Sequence, residues 1–125
     1  MTNWTLRDLG SVEMVLNRLD DADDHLSAAL RFFSSTGDVS GTLGLLRDRA
    51  RLFAMHGDTD RALRLIGAAD EHERKAGLDL GQFELEALGV EDPLVVTDEA
   101  AAERLKREGR SWSIDEAVAH ALGSG

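Results

Sequence analysis

The 125-residue sequence has no cysteine and a single proline. Without cysteine there is no disulfide framework, no thiol nucleophile and no thiolate zinc site. No run of about 18 apolar residues occurs, so no transmembrane helix is expected. The start, MTNWTLRDLG, lacks a basic stretch followed by an apolar one, so no signal peptide is readable. Basic residues are also scarce: 14 Lys and Arg face 24 Asp and Glu, a formal charge of −10. A surface that acidic repels phosphate, which argues against direct nucleic-acid binding. These absences point to the cytoplasm. β-branched residues are sparse and no alternating apolar and polar run stands out, which argues against a sheet.

What is present is helical periodicity. Leu6, Leu9, Val12, Leu16 and Leu19 form one apolar stripe at three- and four-residue spacing. Leu26, Ala29, Leu30 and Phe33 form a second, Leu43, Leu46, Ala50 and Phe53 a third, and Ala62, Leu65, Ile66 and Ala69 a fourth. The breaks NRLDD (17–21), STGDVSG (35–41) and HGDTD (56–60) are short and carry Gly, Asp or Asn. Short connections favour antiparallel neighbours, so the spacing predicts two helix hairpins, 3–37 and 38–77. The 42% hydrophobic content and the length suit a single domain.

The hairpins repeat each other. At a shift of 40 positions, Leu6 meets Leu46, Arg7 meets Arg47 and Asp8 meets Asp48. Asp20 then meets Asp60, Ala22 meets Ala62, Ala28 and Ala29 meet Ala68 and Ala69, and Gly37 meets Gly77. Small residues at Gly10 or Ala50 face small residues at Ala22 or Ala62 and let paired helices approach. Leu26 and Ile66, one turn on, fill the space beside them. This is tetratricopeptide-like (TPR-like) logic on a longer unit than the usual ~34 residues. The expected fold is therefore all-α: TPR-like hairpins in a right-handed α-solenoid, ending in C-terminal capping helices.

After Gly77 the pattern changes. Residues 78–96 read as a connector, with one helical turn near Phe83–Leu88, and Pro93 argues against helix just before it. Residues 97–123 read as the capping pair. Thr97 is the expected N-cap of the first of these helices, with Asp98 and Glu99 complementing its dipole. Ser113 and Glu116 make a capping box for the second, with Trp112 in the staple position. Ile114, Ala117, Val118, Ala121 and Leu122 then form an apolar face that would cover the last repeat.

RALRLIGAADEHERKAG (61–77) followed by EGRSWSIDEAVAHAL (108–122) resembles the C-terminal end of the TPR-like region in large bacterial NTPase-linked regulators. These are the LuxR/MalT-like transcriptional activators and the ATPase–cyclase fusions. Ala62, Leu65, Gly67, Ala68, Ala69 and Asp70 carry the first part of the likeness. Glu108, Gly109, Arg110, Ser113, Glu116, Ala117, Ala121 and Leu122 carry the second, and the resemblance spans residues 37–122. It implies a non-catalytic regulatory domain that binds a protein, a peptide or a neighbouring module of the same polypeptide.

No phosphate loop of the form GxxxxGKS/T and no GxGxxG is present, so no nucleotide or other cofactor is expected. DDADDHL (20–26) lacks the glycine and distal glutamate of an EF-hand, and the four histidines form no i, i+4 pair, so no metal is expected. No nucleophile with a partnered His and acid can be assembled, so no enzyme is expected. The candidate partner-binding residues line the first helix of each hairpin: Arg7, Ser11, Arg47 and Arg51, whose guanidiniums suit carboxylates of a peptide. The same arginines can instead pair with Asp8- and Asp48-type neighbours. A second surface, Leu9, Val12 and Leu16, is the candidate for self-association into a homo-oligomer.

Overall fold

The computed structural model describes residues 3–78 and 98–123, with side chains from Thr5 onward. All regular structure among them is helical: α1 (Asn3–Val15), α2 (Leu19–Thr36), α3 (Val39–Met55), α4 (Thr59–Ala76), α5 (Glu99–Arg110) and α6 (Ile114–Ala121). Consecutive helices pack on each other from α1 to α4, α5 packs on α4, and α6 lies across α3, α4 and α2. The connector expected at 78–96, with its helical turn at Phe83–Leu88, lies outside the described residues apart from Leu78.

Local chemistry sets the turns. Asp38, Asp58 and Asp98 each cap a helix by accepting from the backbone N–H three residues on, that of Gly41, Arg61 and Ala101 respectively. Asp98, rather than the expected Thr97, is thus the N-cap of α5, because its carboxylate reaches the Ala101 N–H at 3.0 Å. Gly37 and Gly77 close α2 and α4 in the left-handed conformation, at φ 73° and 71°. A side chain is disfavoured at such a φ, so glycine ends both helices.

The 40-residue shift is repeated in the helices themselves. Both ends of α4, and its terminal glycine, lie 40 positions after their counterparts in α2, and Met55 ends α3 40 positions after Val15 ends α1. α5 begins another 40 positions on, at Glu99. Ala22, Ala62 and Ala102 are buried in this register, as are Ala29, Ala69 and Gly109.

The core is built where those small residues bring helices together. A Cβ on Gly10 would meet the Leu26 side chain at 2.6 Å, so only glycine lets α1 settle on α2 there. Gly67 and Gly109 are more constrained: a Cβ on either would run into backbone of the opposite helix, at Lys106 and Arg64. Here α4 and α5 cross almost main chain to main chain. The second, third and fourth apolar stripes supply the interior, with Leu26, Leu30, Leu43, Leu46 and Leu65 fully buried. Phe53 and Ile66 are half-buried at its margin.

The first stripe turns out differently. On α1 the inward row is Leu6, Gly10 and Met14, whereas Val12 and Leu16 are 48% and 57% exposed. The close approach at Gly10 fixes the rotation of α1, and i, i+4 spacing from Gly10 selects Leu6 and Met14. Val12 and Leu16 are turned outward.

Candidate interaction surface

α3 sits at the centre, and every residue from Gly41 to Leu52 is buried. A helix covered on all sides is normally apolar all round. This one carries the run Arg47-Asp48-Arg49-Ala50-Arg51. Successive helical positions point about 100° apart, so the charges must find partners in different directions, and they do.

Asp48, 1% exposed, accepts from Arg7 of α1 at 2.8 Å and from Arg51 at 3.1 Å. Arg47 reaches α4, donating to Glu73 (Nε–Oε2 2.7 Å) and to Asp70 (2.5 Å). Burial works to lower the Arg47 pKa, but its hydrogen bonds to Glu73 and Asp70 outweigh this and leave it raised. The group is a permanent cation. Arg49 points a third way. It donates from Nε to the backbone carbonyl of Ala121 in α6 at 2.8 Å and pairs with Asp23 of α2. Its guanidinium also lies 4.8 Å from the Phe53 ring, which Arg61 approaches at 5.1 Å. No buried side-chain polar atom among the described residues lacks a hydrogen bond.

The groove candidates are therefore brought together but not laid open. Arg7, Arg47 and Arg51 converge on the α1–α3–α4 seam, with Arg47 and Arg51 buried and the Arg7 side chain 15% exposed. Asp48 pairs with Arg7 and Arg51, and Asp70 and Glu73 pair with Arg47, so the protein's own acids meet these guanidiniums. Ser11 is half-exposed on α1. Of the self-association candidates, Leu9 is half-buried, Val12 and Leu16 are exposed, and Val15 extends the exposed patch.

Several residues escaped the sequence reading. Arg49 was legible in principle: three consecutive charged residues cannot share one solvated face. Glu13 is buried on α1 and meets His25 Nδ1 of α2 at 2.5 Å, a pairing between helices that periodicity cannot reveal. His72 of α4 bonds through Nε2 to the Trp112 carbonyl at 2.8 Å, and the Trp112 and His120 rings stack 3.9 Å apart. The capping box at Ser113 and Glu116 is formed as expected. No cluster of His, Asp and Glu suited to a metal occurs among the described residues. No described helix is long and apolar enough to cross a membrane.

Compared with protein-family models, curated proteins and solved structures, the chain matches none.

Proposed function

We propose that this chain is a TPR-like helical-repeat module, non-catalytic and cytoplasmic, that binds a protein, a peptide or a neighbouring module of the same polypeptide. In this reading it is the C-terminal part of a bacterial transcriptional regulator or signalling ATPase. The supporting observation is the 40-residue register. Helix ends, terminal glycines and buried small residues recur in α2 and α4, and the register reaches α5. Stacked repeats of this kind bury a continuous core and leave extended surfaces for partners. The paired arginines contribute by holding the seams from beneath, while Ser11 is half-exposed on α1.

The decisive test is the nucleotide sequence upstream of the Met1 codon. An in-frame extension carrying further 40-residue units and a phosphate loop supports the regulator reading. A stop codon and ribosome-binding site directly upstream defeat it.

The exposed patch of Val12, Val15 and Leu16 favours a second reading, a stand-alone helical protein that self-associates through α1. Sedimentation of the wild type and of Leu16→Glu checks it. A dimer that becomes a monomer on substitution supports this reading, and an unchanged mass removes it.

A further inference from the structure

α1 presents to solvent a face that its counterpart α3 buries. Thr5, Asp8, Val12 and Val15 are all exposed and follow each other at three- and four-residue intervals. That spacing puts them on one side of the helix, in the pattern of a seam between two paired helices. Leu16, whose N–H still donates to the Val12 carbonyl, adds to the same side. Val12, Val15 and Leu16 are 48%, 49% and 57% exposed. In the 40-residue register Thr5, Asp8 and Val12 correspond to Leu45, Asp48 and Leu52, none of which is more than 1% exposed.

The acid on this face shows what a covering surface must bring. Asp48 is buried between two guanidiniums, and one of them, that of Arg7, comes from another helix. Asp8 has neither partner. Ser11 stands where Arg51 stands 40 positions later, and no ion pair reaches Asp8 among the described residues. Covering a carboxylate without a cation is strongly unfavourable, so whatever covers this face must supply one.

A suitable cation lies just past the other end of the patch. Arg18 is exposed in the turn after α1 and, like Asp8, has no ion pair among the described residues. Along the chain the order is acid, apolar patch, base: Asp8, then Val12 to Leu16, then Arg18. A parallel pairing of two such faces would set Asp8 against Asp8 and Arg18 against Arg18. An antiparallel pairing sets apolar on apolar and each acid beside a base, and a two-fold axis makes every such contact twice.

We propose that the protein forms a two-fold dimer through the outer face of α1, with the two helices antiparallel and Asp8 of each copy paired with Arg18 of the other. The partner is a second copy of this chain because the acid–apolar–base order is complementary to itself. This rests on the self-association reading and gives that surface its geometry.

Sedimentation of the full chain from micromolar to millimolar concentration tests it, and the mass should rise from monomer to dimer. Asp8→Arg and Arg18→Asp each bring like charges together at both ends of the interface, so each should weaken association at least about tenfold. Combining the two restores opposite charges with the ends exchanged, and should return the affinity to within about threefold of wild type. Asp8→Asn and Arg18→Gln, which disturb the shape least, should each weaken association about threefold. 

A wild type that stays monomeric at every concentration overturns the proposal and the self-association reading together. A dimer that ignores the charge substitutions, or that the combined variant fails to restore, overturns the antiparallel arrangement alone. If Leu16→Glu still dissociates such a dimer, self-association through α1 stands.

Discussion

At the scale of residues, equivalent positions of the two hairpins have opposite environments. Asp48 is sealed between Arg7 and Arg51, while Asp8, 40 positions earlier, is exposed. Removing a carboxylate that buried guanidiniums share leaves uncompensated charge in the interior. Asp48→Ala is therefore expected to cost about 3 kcal/mol in urea unfolding, and Asp8→Ala no more than about 0.5 kcal/mol. Equal costs would mean that the interior pairing adds nothing. Glycines divide in the same way. At Gly109 a methyl group would meet the Arg64 backbone, which cannot retreat without moving α4. Gly109→Ala should cost about 3 kcal/mol or more. At Gly37 there is open space and only the left-handed φ to penalise, so Gly37→Ala should cost about 1 kcal/mol. Thermal melts of both variants check the ranking.

At the scale of elements, the last helix depends on its start. Ser113 accepts from the Glu116 N–H at 3.1 Å, and the Glu116 carboxylate accepts from the Ser113 N–H at 3.2 Å. Ser113→Ala should cost about 1 kcal/mol, seen as faster amide exchange confined to α6. That cap was legible in the sequence because it depends on two residues three apart. The stripes of α2 and α4 were legible for a similar reason, since each helix has one apolar side and one polar side. α1 and α3 were harder to read. The facing row of α1 is set by a glycine, which scores as neither apolar nor polar, so the periodic leucines and valines suggested the wrong rotation. α3 is covered all round, and a one-sided stripe could describe only part of it. In its run Arg47–Arg51, Arg47 and Arg51 read either as groove wall or as partners of Asp48-type acids, and Asp48 does hold Arg7 and Arg51. The acids that bury the run, Asp23, Asp70 and Glu73, sit on other helices more than twenty positions away. Sequence spacing alone cannot make such pairings visible.

At the scale of the whole molecule, two opposing electrostatic effects can be separated by pH and salt. The excess of ten negative charges repels itself at neutral pH, so added salt should raise the melting temperature there rather than lower it. Specific exposed pairs act at lower pH. Hydrogen bonding from Arg74 holds the Glu71 carboxyl below its ordinary value, and Arg110 does the same for Glu103. Groups lowered in the folded state stabilise it fully above the ordinary glutamate value of about 4.3 and lose that effect as pH falls through the lowered values. Stability should thus decline below about pH 4. Glu71→Gln combined with Glu103→Gln should flatten the decline slightly, the change being small because both carboxylates are exposed. Melting curves from pH 3 to pH 7 check both statements. The stacked rings of Trp112 and His120 make such changes observable without any label. The emission of an indole depends on what lies against it, so Trp112 reports whether the His120 ring is still there. With Trp4 replaced by Phe, the remaining emission would come from Trp112 alone and would follow whether its ring stays stacked on His120. A cuvette and a lamp would then follow the loss of that contact as the protein is heated or acidified.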